Sequence, residues 1–145
     1  NDPTRRISEA AERLAPALTA LRRDIHAHPE LAFEETRTAG IVAAELARLG
    51  IPHRTGVGRT GVVGTIKGGR PGPTLAIRAD MDALPIAEET GLPFASTAHG
   101  KMHACGHDIH TVTLLGVAEV LKDIAPMLAG RVVLVFQPAE EVLEG

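Results

Sequence analysis

Apolar positions near the start of the chain recur every three or four residues, the spacing that places side chains on one face of a helix. Between Arg5 and Ala27 these positions are Ile7, Ala11, Leu14, Leu18, Leu21 and Ile25. Proline disfavours helical geometry in the residue before it, so Pro29 predicts that this helix ends near His28. A second helix is predicted over residues 34–49, with Gly50 just past its end, where glycine is favoured.

The middle of the chain changes to short runs of β-branched and aliphatic residues. Residues 61–66 and 74–77 are two such runs, and the stretch 67–73 between them is rich in glycine and proline. This pattern predicts neighbouring strands joined as a hairpin. Residues 131–136 form a third run, in which five apolar residues follow an arginine. A continuous apolar run predicts a strand that is buried on both faces.

Two further segments complete the predicted fold. Residues 78–109 show little periodicity and many Gly, Pro and His residues, which predicts a long connection, whereas residues 110–124 return to a helical pattern. Helices, strands, a crossover helix and a buried strand indicate a layered α/β fold, and 145 residues suit one domain. Ligands of such folds bind at the carboxyl ends of the strands, where the clusters 80–82 and 137–141 are expected.

Composition and charge argue against several classes of partner. The chain carries 15 basic and 18 acidic residues, which are interspersed along the sequence and give a net charge of -3. Three Phe are its only Phe, Tyr or Trp residues. It therefore lacks the basic surface and stacking residues of a nucleic-acid-binding protein. No apolar run approaches the roughly 18 residues of a membrane span, and the first ten residues contain no signal-peptide core. We expect a cytoplasmic protein without a membrane partner.

The densest group of reactive side chains lies where the long connection meets the next helix, and comprises His103, Cys105, His107, Asp108 and His110. Thiolate and imidazole are ligands for Zn, and imidazole also suits Mn, Fe, Co and Ni. Gly106 allows the tight backbone turn that would aim Cys105 and His107 at one centre. The alternative is a loop of surface histidines beside a buried cysteine. The density of the group favours the metal site.

Two pairs of carboxylates follow predicted strands. Neighbouring side chains of an extended segment point to opposite sides, so one of Glu140 and Glu141 would hold a metal while the other faces the substrate as a general base. The alternative is a helix start with acids that suit its dipole. In the other pair, Asp82 is predicted to orient a metal-binding imidazole. Asp80 is predicted either to bind the metal or to support a residue that binds it. Capping of loop turns is the alternative for both.

A different role for the single cysteine is also open. Cys105 cannot form an intrachain disulfide, because the chain contains no second cysteine. A redox or nucleophilic thiol would explain it without a metal. No Cys-His-Asn arrangement elsewhere in the chain supports the nucleophile.

Five segments carry a family resemblance: RRDIHAHPELAFEE at 22–35, RADMDALPI at 78–86, GLPF at 91–94, MHACGHD at 102–108 and FQPAEE at 136–141. In this order they resemble metal-dependent amidohydrolases of the M20 peptidase type, in the branch of aminoacylase-like, hippurate hydrolase-like and auxin-conjugate hydrolases. The resemblance implies an α/β/α metallopeptidase-like catalytic domain with a mixed sheet. It also implies that a small-molecule amide, such as an N-acyl amino acid, is hydrolysed.

The resemblance assigns roles to individual residues. Cys105, His107 and Glu141 would ligate a pair of divalent metals, usually Mn, Zn, Co or Ni, and Glu140 would be the general base toward a metal-activated water. Related branches carry a His-x-Asp metal motif where this chain has Asp80-Met-Asp82, so Asp80 is either a ligand or a neighbour of one. His103, Asp108 and His110 stand as further possible ligands or their supports.

Members of this family are much longer than 145 residues. The resemblance implies that residues 1–145 are the N-terminal part of the catalytic domain. The rest of that domain, with two later histidines that complete the metal set, and a smaller domain that usually mediates dimerisation would lie outside them. We expect these residues alone to be inactive. The alternative is a non-catalytic metal-binding or interaction fragment of the same fold.

Overall fold

The computed structural model describes residues 2–145. In chain order its elements are α1 (Pro3–Ala27), α2 (Thr36–Arg48), β1 (His53–Val57), β2 (Gly61–Lys67), β3 (Arg70–Asp80), α3 (His107–Ile124) and β4 (Ala129–Gln137). Short 3-10 turns cover Ala125–Met127 and Glu140–Val142. None of the helices within residues 2–145 is both long and apolar enough to cross a membrane.

The three predicted helices are confirmed, with shifted ends. α1 ends at Ala27, where the N–H of His28 turns back to the carbonyl of Ile25 (3.0 Å). The first N–H groups of α2 are capped by the side chain of Glu30, which accepts from the N–H groups of Arg37 (2.8 Å) and Thr38 (2.7 Å). α3 begins three residues earlier than the pattern indicated, so His107 and Asp108 join His110 in its first turn.

The strand order is β1-β2-β4-β3, with β1–β2 and β2–β4 antiparallel and β3–β4 parallel. The predicted hairpin of β2 and β3 is therefore wrong, because β4 lies between them. A turn signal reports that the chain reverses, but not which strand it then pairs with. Residues 70–76 of β3 are exposed, which suits the sheet edge, whereas the apolar β4 gains more burial in the centre.

One face of the sheet carries the core. Val132, Leu134 and Phe136 of β4 are buried there against residues of α2 and α3, and α1 packs on α3. The residues between them, Val133 and Val135, are only half-buried. The prediction that this strand is buried on both faces is therefore wrong within residues 2–145, because the described helices cover one face of the sheet.

The structure also contains a strand that the sequence analysis missed. Residues 53–57 form β1, which is largely exposed and lacks alternating apolar side chains, so it gave no pattern to detect. The predicted long connection is confirmed over residues 81–106, which contain no helix and no named strand. Reciprocal bonds between Leu84 and Met102, at 2.9 and 3.0 Å, pin its two halves together.

Candidate metal centre

Two strand ends bring the acidic clusters together. β3 ends at Asp80 and β4 at Gln137, and these two residues are partners in the parallel pair. The segments that leave these ends start side by side at the carboxyl edge of the sheet, as the sequence analysis predicted. The start of α3 lies at the same edge, where the hydroxyl of Thr111 donates to the backbone oxygen of Asp80 (2.9 Å).

Three of the predicted ligands converge at this edge. The donor atoms of Cys105, His107 and Glu141 all lie within 4.8 Å of one another. Cys105 is exposed and His107 is buried. Glu141 Oε1 is buried without a hydrogen-bond partner in the described chain, although such atoms are normally satisfied. Thiolate, imidazole and carboxylate donors suit a divalent metal such as Zn.

The ring of His107 is fixed from behind. Its Nδ1 lies 2.8 Å from the backbone oxygen of Asp82 and 3.3 Å from Asp82 Oδ1. Its Nε2 therefore faces the carboxylates of Asp80, Glu140 and Glu141, at 3.5, 3.7 and 3.6 Å. Burial opposes a charged ring, but the hydrogen bond with Asp82 and the charge of Asp80 outweigh it and raise the pKa of His107. Such an excess of negative charge suits a cation.

We call residues 139–142 the glutamate turn. The backbone N–H groups of Glu140 and Glu141 donate to the two oxygens of Asp82, at 3.0 and 2.9 Å. The expectation that the two glutamates point to opposite sides of an extended segment is wrong, because residues 140–142 form a 3-10 turn. Both carboxylates stand near His107 Nε2, and Glu140 keeps 30% of its side chain exposed.

Asp82 is fully buried beneath both parts of this site. Burial by itself would raise the pKa of its carboxyl group. Hydrogen bonds from His107 and from the N–H groups of Glu141 and Glu140 outweigh burial and lower that pKa. The Asp82 carboxylate therefore stays ionised and accepts from all of these donors. This one side chain holds both the His107 ring and the glutamate turn in place, although they come from different segments.

The thiol of Cys105 responds to the same negative charge. The adjacent Glu141 carboxylate, a small loss of hydration and the charges of Glu140 and Asp80 raise the pKa of Cys105, because they disfavour a thiolate. A thiol needs to lose its proton to act as a ligand, and a bound cation favours that loss. The raised pKa thus reflects the carboxylates around the thiol. It does not support the redox or nucleophilic alternative, which requires a depressed thiol pKa.

Asp80 and His110 form a second group with His107, and the donor atoms of the three lie within 4.8 Å of one another. Asp80 Oδ1 lies 2.6 Å from His110 Nδ1, and Asp80 Oδ2 accepts from Arg78 Nη1 at 2.9 Å. Both oxygens of Asp80 are therefore engaged by other side chains. Arg78, which the sequence analysis did not single out, belongs to the RADMDALPI segment and also lies 3.8 Å from Glu140 Oε1.

Asp108 and His103 lie apart from Cys105, His107 and Glu141, in a separate buried cluster. Asp108 Oδ2 lies 2.8 Å from His26 Nδ1 and 2.8 Å from Arg22 Nε, although the arginine N–H is not aligned for a hydrogen bond. His26 Nε2 lies 3.1 Å from Glu88 Oε1. This cluster ties the start of α3 to α1. The RRDIHAHPE segment was the sequence signal for Arg22 and His26.

His103 is 4% exposed, and neither ring nitrogen has a partner in the described chain. Burial lowers its pKa from 6.5 to about 4, because the charged ring would lose its hydration. As the pH falls between these values, the unfolded state binds the proton first, so stability falls. We expect protonation of His103 to lower the unfolding free energy by about 3 kcal/mol across that pH range. Urea unfolding at pH 7 and pH 4.5, in the presence of a chelator, measures this change in unfolding free energy.

The comparison uses His103→Phe, which should lose less stability on acidification than the wild type. Carboxylates titrate in both proteins, so the difference between them isolates His103. His99→Phe serves as the control, because His99 is exposed. Equal acid sensitivity of the wild type and His103→Phe would contradict the expected pKa.

Glu35 is a further site residue that the sequence analysis did not identify. Its carboxylate is fully buried and accepts from the N–H of Ala139 at 2.8 Å and from the hydroxyl of Thr60. It was assigned only to the start of the second helix. Its place in the segment at 22–35 was the available signal, but no local pattern shows a contact across 104 positions.

Known proteins share the motifs of this chain. Residues 76–145 match peptidase family M20/M25/M40. The chain is 50% identical over 140 residues to the probable hydrolase sll0100 of Synechocystis sp., covering 96% of this chain and 36% of that protein. It is 47% identical over 133 residues to the N-acetylcysteine deacetylase of Bacillus subtilis, covering 88% and 34%. The chain belongs to the M20 peptidase family.

The M20 fold is shared as well. The crystal structure of the Bacillus subtilis YXEP protein, described as a dinuclear metal binding peptidase from the M20 family, aligns with a TM-score of 0.86 and 46% identity. The alignment covers 90% of this chain and 37% of that one. The predicted α/β fold with a mixed sheet is thereby confirmed. The chain spans about a third of the length of the M20 relatives it matches, at 36% and 34%.

Proposed function

We propose that the protein is a metal-dependent hydrolase that cleaves an amide bond in N-acyl amino acids or related conjugates. The observation that carries this proposal is the convergence of Cys105, His107 and Glu141 within 4.8 Å, with Glu140 beside them. The M20 relatives include a probable hydrolase and an N-acetylcysteine deacetylase. Because the chain covers about a third of them, the activity is proposed for the protein as a whole.

The three converging residues would hold divalent metal. We propose two ions in the complete site, drawn from Mn, Zn, Co and Ni, because the similar YXEP protein is described as dinuclear. The unpartnered Oε1 of Glu141 and the outward-facing Nε2 of His107 fit such a ligand set. When bound, these ions polarise the scissile carbonyl and make water a stronger nucleophile. Further ligands would come from residues beyond these 145.

Glu140 would move the proton. Its partly exposed carboxylate accepts a proton from the attacking water as the water oxygen bonds to the carbonyl carbon. It then gives that proton to the amine nitrogen as the carbon–nitrogen bond breaks. The products are a carboxylic acid and an amine. Arg78 lies 3.8 Å from Glu140 Oε1, so a positive charge stands beside this carboxylate.

The proposed activity is tested with the full-length protein and a panel of N-acyl amino acids that varies the acyl and amino sides separately. We expect hydrolysis in the presence of Mn²⁺ or Zn²⁺, loss with a chelator and recovery on adding metal back. Ninhydrin detection of the released amine measures the rate. Tight metal binding without hydrolysis of any substrate would refute the activity and favour the non-catalytic alternative.

The predicted domains, assembly, location and partners stay predictions. We propose that residues 1–145 form the N-terminal part of the catalytic domain and that a smaller domain elsewhere in the protein supports a homodimer. The cytoplasmic location and the absence of nucleic-acid and membrane partners are likewise predicted from composition and charge.

A further inference from the structure

Glu35 is an acidic side chain with 0% of its surface exposed. A buried carboxylate is costly unless hydrogen bonds compensate for its lost hydration. Its two oxygens accept from the N–H of Ala139 at 2.8 Å and from the hydroxyl of Thr60. The carboxylate therefore joins the start of α2, the β1–β2 loop and the glutamate turn.

The carboxylate of Glu35 is not used by its own helix. Glu35 occupies the N-cap position of α2 but makes no side-chain capping bond. Glu30 caps the helix instead, through the N–H groups of Arg37 and Thr38. Capping of α2 thus does not explain why Glu35 is buried. The hydrogen bond from Ala139 shows that the Glu35 carboxylate serves the glutamate turn instead.

The glutamate turn starts from an unfavourable backbone conformation. Ala139 has φ 52°, in the left-handed region that a residue with a Cβ rarely adopts. The N–H of Ala139 donates to Glu35, and the N–H groups of the next two residues, Glu140 and Glu141, donate to Asp82. Three successive N–H groups thus donate to two buried carboxylates. These bonds hold the turn in the conformation that directs both glutamate side chains toward His107.

We infer that Glu35 is a positioning residue, which sets the location of Glu140 and Glu141 through the backbone of Ala139. The inference rests on the proposed function only in treating Glu140 as the base and Glu141 as a ligand. Without Glu35 the N–H of Ala139 loses its acceptor, and the turn relaxes from its left-handed start. Both carboxylates then move relative to His107, so metal affinity and turnover fall together.

The experiment compares four variants of the full-length protein. Glu35→Ala removes the acceptor, and Glu35→Met removes it while filling most of the space, in case the alanine variant does not fold. Glu35→Gln keeps an oxygen for Ala139 and supplies an amide that can donate to Thr60. Glu30→Ala is the matched control, because it removes a hydrogen-bonded glutamate from the same helix start without touching the turn.

Mn²⁺ affinity by calorimetry, kcat and KM for an N-acyl amino acid, and Tm are measured for each variant. Glu35→Ala and Glu35→Met should bind Mn²⁺ about tenfold or more weakly, as when a residue that supports a metal ligand is removed. They should also lose about tenfold or more in kcat with KM less affected. Glu35→Gln should stay within about threefold of the wild type in both, and Glu30→Ala should lower only Tm.

Unchanged Mn²⁺ affinity in folded Glu35→Ala or Glu35→Met would overturn the inference, even if Tm falls. Equal losses of affinity in Glu30→Ala would also overturn it, because the effect would then follow helix stability. If the wild type hydrolyses no N-acyl amino acid, the proposed function fails, and the Mn²⁺ affinities alone still decide the role of Glu35.

Discussion

Replacing Glu140 by glutamine is expected to lower kcat by at least about a hundredfold, the usual contribution of a general base. The amide keeps the size of the side chain but cannot take a proton from water. The backbone N–H of Glu140 still donates to Asp82, so the glutamate turn should stay in place. Mn²⁺ affinity should change by less than about tenfold, because the three proposed ligands remain. Steady-state kinetics and calorimetry measure the two effects.

The matched control is Glu144→Gln, which makes the same chemical change four positions later on an exposed side chain. It should leave kcat and metal affinity at the wild-type level. Activity that survives Glu140→Gln would sink the assignment of the base. A loss of metal affinity as large as the loss of kcat would instead make Glu140 a ligand.

The Asp82→Asn variant should show the second large effect, a loss of Mn²⁺ affinity of about 10- to 100-fold. Asp82 accepts from the N–H groups of Glu140 and Glu141 and lies against His107 Nδ1. An asparagine has one acceptor oxygen, so one turn N–H would face an NH₂ group. Leaving such a buried donor unsatisfied should also cost about 1–3 kcal/mol of unfolding free energy.

Calorimetric titration with Mn²⁺ and urea unfolding test both parts of this prediction. Asp123→Asn, an exposed change near the end of α3, is the control and should alter neither quantity appreciably. Wild-type metal affinity in folded Asp82→Asn would show that the site does not depend on this carboxylate for its geometry.

Sequence periodicity predicted the parts of the fold that depend on local spacing. All three helices and three of the four strands were expected near their observed positions. The missed strand, β1, is exposed and depends on pairing with β2. The wrong hairpin has a related cause, since the choice of β4 as the partner of both β2 and β3 depends on burial of the whole sheet.

The candidate site divides in the same way. Cys105 and His107 are close in sequence, and a single glycine between them was enough to suggest a shared centre. Glu141 meets them because the end of β4 and the start of α3 lie at the same edge of the sheet. The opposite orientation expected for Glu140 and Glu141 was wrong, since an extended segment was assumed where buried carboxylates hold a 3-10 turn.

The sequence by itself determined the helices, the layered α/β class, the metal-competent chemistry of residues 103–110 and 140–141 and, through its motifs, the family. Only the tertiary structure decided the strand order, the separate burial of His103 and Asp108, and the roles of Glu35 and Asp82 behind the glutamate turn. The physical reason is that periodicity and side-chain chemistry are local properties. The buried carboxylates of Asp82 and Glu35 find backbone donors 58 and 104 positions away, and only packing brings these groups within hydrogen-bond distance.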